Sequence, residues 1–585
     1  MTSQWASILL CAGAILSAPV LAQPSLPWQE YSRLIDNKKT IEALSTQLFG
    51  EEVDLYNGKT SFSITDVDLP GNSHLPVRFT RIFEFRGRVR NQPAPLADWE
   101  IDLPRVGGVY PHALRDWNQI TYHSWNNQRC SGARYPEPVL PFTYKDFWYG
   151  IHARTIPGGG ELLEPNPRTQ APASGGPYRW VTKGLTWFAC LPSILNGPGE
   201  GFFAIAPDGT KYWFNWLAQR PDTELIKPVY LSTLELHLER RENQLYATRV
   251  EDRFGNWVNY SYSNASSEPA RLTKIESNDG RVISISYQDG RIRTVSAENR
   301  TWTYAYEQVL AHPYILTSVT LPDGSKWKYE TTQINHIGNP ASDESSCDHP
   351  GITGLQWPMP NRVAYMTHPS GAQAEFEFNH RLHGRSDVPR MCQQYMPDTA
   401  HHSYYVRNYW GVSLVRKRLY GPGLDNVVWT YSYVDSHAAT AHPPTYEPPG
   451  SWANGGTYSG PDPVCVSEQC AKYTRTEVHG PDGWKRYTFG NSYRYNEHKL
   501  VKIESGAGPS AILRTEQLSY NLERSGQAFH PQVGVSLQDI GDTFTETYLR
   551  PIRSTSIMQD GAHFRTTTHE YDSKARPVRV TKERL

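Results

Sequence analysis

From Phe49 onward the chain alternates apolar and polar residues with a period of two, the spacing that places every second side chain on one face of a strand. Ser61-Phe62-Ser63-Ile64-Thr65-Asp66-Val67-Asp68-Leu69 is one such run, Pro70-Gly71-Asn72 turns it, and Val77-Arg78-Phe79-Thr80-Arg81-Ile82-Phe83 alternates again. Together they predict an antiparallel hairpin. After about residue 200 a unit of strand, turn and strand recurs: Ala206-Pro207-Asp208-Gly209-Thr210, Asp252-Arg253-Phe254-Gly255-Asn256, Asn278-Asp279-Gly280-Arg281, Leu321-Pro322-Asp323-Gly324-Ser325 and Gly480-Pro481-Asp482-Gly483. The glycine in each turn accepts positive φ at little cost, and the strand that follows sets its Tyr or Trp on one face. β-Branched runs such as Leu272-Thr273-Lys274-Ile275 precede most turns. Thr567-Thr568-His569-Glu570-Tyr571-Asp572-Ser573-Lys574-Ala575-Arg576-Pro577 reads as one unit of a repeat, with weaker copies upstream. Units of this kind bury their faces against their neighbours. The expected fold is all-β: a long antiparallel β-hairpin array that curls, with one short helical segment at the N-terminus.

That helix is expected over Trp28 to Leu48, where Tyr31, Leu34, Ile35, Ile41, Leu44 and Leu48 recur at helical spacing. Residues 23–49 thus form a helical segment, 50–200 a β entry region, and 201–585 the repeat region. Residues from about 85 to 200, rich in Pro, Gly and Trp, read as long loops between strands. Two Gly/Pro/Ser-rich inserts, near 335–360 and 436–471, interrupt the array.

The apolar run Trp5 to Ala18, followed by Val20-Leu21-Ala22-Gln23, fits a signal peptide over residues 1–22 cleaved before Gln23. No later apolar stretch is long enough to span a bilayer, so the expectation is an exported protein, extracellular, on the cell surface or periplasmic. Removing the signal takes Cys11 with it and leaves Cys130, Cys190, Cys347, Cys392, Cys465 and Cys470. An even number in an exported chain favours disulfides. Pairing neighbours in order gives Cys130 with Cys190, Cys347 with Cys392, and Cys465 with Cys470.

Charge narrows the partners. The chain has 58 Lys+Arg against 59 Asp+Glu, without the basic excess a nucleic-acid partner requires. The 35 Tyr and 18 Trp suit half-buried pleated surfaces.

The repeated units resemble the YD repeats of the Rhs family, which includes bacterial Rhs and insecticidal toxin-complex shells and animal teneurins. Tyr571-Asp572, then Arg576 and Val578-Arg579-Val580, is the nearest match, with Ala575 where glycine is usual. Glu52-Val53-Asp54-Leu55-Tyr56-Asn57-Gly58 through Asp66-Val67-Asp68-Leu69-Pro70-Gly71 is similar to the segment that leads into such repeats. The resemblance implies a β-ribbon spiralling into a hollow shell, and the chain is similar to the N-terminal part of one. The cleavage core and toxin that some members carry are not matched here, and no toxin activity is carried over.

Candidate chemistry is sparse. Gly58-Lys59-Thr60 imitates the end of a phosphate-binding loop, but Val53 stands where that loop needs its first glycine and a strand pattern follows. Asp66, Asp68 and Gly71 imitate a calcium loop, but Pro70 and Val77 stand where ligands belong. Cys347-Asp348-His349 with Cys392 could hold zinc, but the spacing matches no standard pair of pairs. His401-His402, adjacent on a strand, point to opposite faces. Gly456-Thr457-Tyr458-Ser459-Gly460 sets its serine one place away from a nucleophile elbow. The expectation is therefore no enzyme, no catalytic residue, no cofactor and no metal. In its place stands a structural role: a shell or partial shell that encloses, presents or delivers an associated polypeptide. The strand edge after the last repeat would pair with a downstream or partner polypeptide, or with a second copy. The alternative is a cell-surface carbohydrate-binding protein that stacks sugars on aromatics of the Trp-rich region from about 85 to 220, with no single stacking residue marked out.

Overall fold

The structure, a computed structural model, describes residues 48–85, 94–115, 125, 127–137, 142, 144–228, 235–309, 314–334, 360–388, 392–394, 401–403, 408–435, 465–522, 526–538 and 547–585. The expected helix before Leu48, Cys347, the 335–360 insert up to 359 and the 436–471 insert up to 464 lie outside the described residues. So do the side chains of Cys392, His401 and His402.

What is described is almost entirely antiparallel sheet. A four-stranded entry sheet comes first: β1 Glu51–Val53, β2 Thr60–Leu69, β3 Val77–Glu84 and β4 Glu100–Ile101, in that order. In β2 the apolar positions change parity, from Phe62 and Ile64 to Val67 and Leu69. A bulge between Thr65 and Val67 absorbs the change, so all four are buried.

A barrel follows. It uses β5 Arg105–Arg115, β6 His152–Arg154, β7 Gly160–Glu161, β9 Tyr178–Val181, β10 Trp187–Leu191, β11 Gly201–Ile205, β12 Lys211–Pro228 and β13 Glu235–Glu251; a four-residue helical turn, α1 Tyr144–Phe147, lies between β5 and β6, and the short strand β8 Glu164–Pro165 stands outside the barrel sheet. β13 pairs with β12 along one edge and, over His237–Tyr246, with β5 along the other. The circuit then runs through β6 and β7, crosses to β9 at the Leu163–Val181 bridge, and returns through β10 and β11 to β12. The region expected to be loops therefore holds a continuous strand in β5, whose Gly107-Gly108 and Pro111 hide its alternation in sequence.

The last turn of β13, Arg249–Glu251, pairs with Trp257–Tyr262, and a ribbon of antiparallel strands leaves the barrel there. Consecutive strands pair from Trp257–Tyr262 to Arg362–Thr367 and Gln373–Gly384, on to Asn408–Gly421, and through to Pro577–Arg584. Its turns are the ones the sequence marks: Gly280 takes φ +86 with open space around its Cβ direction, a conformation that L side chains resist.

The entry sheet lies across one face of this ribbon. Arg281 donates to the carbonyls of Leu69 (2.9 Å) and Leu75 (3.3 Å). Phe79 meets Tyr304 edge-on, and Phe62 meets Phe376 at 4.9 Å between centroids. Thr476 donates to the Leu55 carbonyl and Tyr56 to Asn491. Gly58 fits against Ser413 and Tyr433 so closely that a Cβ would lie 2.5 Å from atoms of both. The ribbon also returns to the barrel: Gly534–Val535 pairs with β8, Ser536 donates to Glu161, and Gln538 donates to the Tyr149 carbonyl.

Candidate functional site: the tyrosine ladder and its last strand

Six tyrosines make the same contact. The hydroxyls of Tyr262, Tyr287, Tyr306, Tyr433, Tyr520 and Tyr571 donate to the carbonyls of Ala247, Leu272, Ile292, Leu414, Leu500 and Ile552, all at 2.7–2.9 Å. In every case the acceptor lies on the strand preceding the tyrosine's own strand and paired with it. The ring closes the end of the hairpin, and its hydroxyl satisfies a backbone group that water would otherwise have to reach. Burial pushes all six phenols above their ordinary range. Only Tyr571 was marked by its neighbour Asp572. A weaker signal was present in Tyr262-Ser263-Asn264, Tyr287-Gln288-Asp289, Tyr433-Val434-Asp435 and Tyr520-Asn521.

Buried ion pairs brace the structure. Arg81 and Asp66, both with fully buried side chains, bond at 2.8 Å; Tyr304 donates to Asp66 at 2.7 Å and Arg81 donates to Tyr329 at 2.5 Å. Burial opposes the Arg81 charge, but the Asp66 carboxylate beside it prevails and its affinity for the proton is raised. Lys417 pairs with Glu51 beneath the Trp429 ring, and Arg385 with Glu497. Two histidines near the entry loop, His383 and His498, are held neutral chiefly by burial, each lowered to about 4. His383 lies within hydrogen-bond distance of the Ser413 hydroxyl, which donates to the Asn57 carbonyl.

The residues singled out in sequence are placed as follows. Asp66 belongs to the ion pair, and Gly58-Lys59-Thr60 leads into β2 with no helix after it. Cys130 and Cys190 are bonded, as are Cys465 and Cys470. Among the described residues no group of His, Cys, Asp and Glu could hold a metal ion, and no helix is long and apolar enough to cross a membrane. Among the described indoles of the Trp-rich region, Trp99, Trp125, Trp148, Trp180 and Trp187 are buried, and Trp213 and Trp216 are half-buried.

At the end of the ribbon the picture changes. Tyr487, Ile503, Glu516, Ile557, Phe564 and Arg584 stand opposite one another in a single cross-strand row. Tyr487 is buried and Ile503 packs on the core, but Phe564 is 49% exposed, as are Val578 (64%) and Val580 (43%) on the same face. The other face carries the hydrogen bonds Ser519–Ser554, Ser556–His563 and His569–Thr581, with Met558 exposed among them. Among the described residues, Pro577–Arg584 is paired along one edge only, with Ala562–Tyr571. This combination can bind an extended strand along its edge and apolar side chains on its face.

No protein-family model matches the chain, and no curated protein matches it.

Proposed function

We propose that the protein is an exported, non-enzymatic structural protein of YD-repeat type whose curled sheet forms a partial shell that holds, presents or delivers an associated polypeptide. The observation that carries this reading is the end of the ladder: a core face that runs on into exposed Phe564, Val578 and Val580 beside a one-sided strand. The return of the ribbon to the barrel through Gly534–Val535 supports a curled form. The two disulfides fit an oxidising compartment, and the apolar run before Gln23 fits export.

An unstructured reporter fused after Leu585 tests the reading by limited proteolysis. Enclosure requires the fused reporter to survive longer than the same reporter free in solution. Digestion at the free rate, with the body of the protein intact, overturns it. N-terminal sequencing of the secreted protein should begin at Gln23.

A further inference from the structure

We propose that the barrel encloses a small carboxylate with an apolar body, held by the Arg129 guanidinium and the indole N–H groups of Trp125 and Trp148 beside the Tyr110 hydroxyl.

These side chains gather around one ring. Tyr110 stands on β5 on the same face as Val106, which is fully buried. The segment between β5 and β6 brings Trp125, Arg129 and Trp148 against it. Tyr110 and Trp125 stack at 5.4 Å between centroids. The Arg129 guanidinium lies 6.0 Å from the Trp125 ring centroid. Trp148 approaches the Tyr110 hydroxyl, and the Arg129 charge acts on the same phenol. All four residues are buried, Trp148 to 1% exposure. Yet the Tyr110 hydroxyl, Nε1 of both indoles and Nε of Arg129 have no hydrogen-bond partner. On the same face, opposite Gly108, Asn243 of β13 is 0% exposed with both ends of its amide unpartnered. Buried N–H and O–H groups are normally bonded. A cluster of them left open inside a barrel points to an occupant that accepts hydrogen bonds.

Charge decides which occupant. Arg129 donates to the carbonyls of Pro198 (2.8 Å) and Glu200 (3.3 Å). Among the described residues it has no carboxylate at ion-pair distance. The Glu200 charge reaches it, but the Glu200 carboxylate accepts from the Ser131 hydroxyl and from the amides of Cys130 and Ser131. A buried cation without a counter-charge is costly. Water would satisfy the N–H groups and leave the charge unbalanced, whereas a carboxylate supplies both the acceptors and the charge. The neighbouring wall is apolar: Phe202 lies 6.3 Å from Trp125, and Phe188 meets Phe202 edge-on. The donors are fixed in place, since Cys130, next to Arg129, is bonded to Cys190 on β10 and its carbonyl accepts from Trp180 at 3.0 Å. A circuit made of β5, β6, β7 and β9 to β13 is of the size that holds one small ligand.

Sodium benzoate is the probe, with sodium chloride at matched concentration as the control. Native mass spectrometry of the full chain as purified comes first, and a small acid already bound supports the proposal. Calorimetric melts in rising benzoate follow. Benzoate should raise the melting temperature saturably, by mass action on the folded state, and chloride should not. Arg129→Met should abolish the shift. Trp125→Phe keeps the ring and removes the N–H, and it should weaken the apparent affinity about tenfold, the effect of one charge-assisted hydrogen bond. If Arg129→Met does not fold, Trp125→Phe decides, and an unchanged affinity there overturns the proposal. An equal shift in folded Arg129→Met puts the benzoate elsewhere and also overturns it. An equal response to chloride removes the carboxylate as the ligand. An empty barrel with no saturable shift leaves water as the partner of these groups, and the proposal fails.

Discussion

Replacing Arg81 by Met would test whether the entry sheet is pinned to the ribbon from within. Arg81 reaches from β3 to Asp66 on β2 and to Tyr329 on the ribbon, and its guanidinium lies 4.7 Å from the Trp99 ring centroid and 4.9 Å from that of Tyr329. Both charged side chains are fully buried. Removing the cation leaves the Asp66 carboxylate without its counter-charge, which costs about 3–5 kcal/mol, and forfeits stacking worth about 1 kcal/mol more. Asp66→Leu alone should cost about as much, by stranding the cation. The double variant removes both charges and leaves the hydroxyls of Tyr304 and Tyr329 without them, a loss of about 1–2 kcal/mol. Urea unfolding of the four proteins, with the slope held in common, closes the cycle. The double variant should be more stable than either single one. If it instead loses the sum of the two single losses, the pair acts as two independent groups and the pinning argument is wrong.

Tyr287→Phe should lower stability by about 1 kcal/mol, because the Leu272 carbonyl loses its donor, while Tyr287→Ala should cost about 3–5 kcal/mol in the same urea titration; equal losses would show that the hydroxyl contributes nothing. Acid should loosen the entry loop. His383 falls from 6.5 to about 4 on folding, so between those values the unfolded chain binds the extra proton, and about 3 kcal/mol present above pH 6.5 is lost as pH drops to 4. His383→Gln should flatten that part of the pH–stability curve, and an unchanged slope would assign the loss to other groups. Replacing Cys130 and Cys190 by Ser should cost more than replacing Cys465 and Cys470, since the bridged residues are 60 apart in one pair and 5 in the other, about 4 against about 2 kcal/mol on the chain-entropy account. Calorimetry of the two variants checks the order.

The strands most legible in sequence are those with one wet face. Val77–Glu84 and the hairpins at Gly209, Gly255, Gly280 and Gly324 carry both alternation and a turn residue, and they form as expected. Legibility fails where both faces are covered. Glu239-Arg240-Arg241-Glu242-Asn243 reads as a solvated charge run, yet Arg240 is 1% and Asn243 0% exposed, because β13 lies between β5 and β12. It fails again where backbone chemistry hides the pattern, as at Gly107-Gly108 in β5. The ladder was readable at Tyr571 and only faint elsewhere because its acceptors are carbonyls 14–20 residues upstream, and a carbonyl leaves no mark in sequence. Packing partners were hidden for the same reason: nothing in Phe62 points to Phe376.

The position of the entry sheet limits what the proposed shell can hold. From Arg281 to Asn491 the buried ribbon face is taken up by β1–β4 and the loops between them. Phe376 and Phe378 are fully buried there. A polypeptide could displace the entry sheet only by exposing Phe62, Phe79 and Phe83, each side chain costing about 1.5–3 kcal/mol, and by breaking the Arg81 and Lys417 ion pairs as well. Beyond Ala511 that obstacle is gone. Phe564, Val578 and Val580, each about half exposed, would contribute about 3 kcal/mol together if covered. Any cargo or partner should therefore engage the last strands first, and the early ribbon serves as the frame that holds those strands in register. The buried ion pairs belong to that frame, so their loss should weaken partner binding only through stability, whereas changes at Phe564 or Val580 should weaken it with the fold intact.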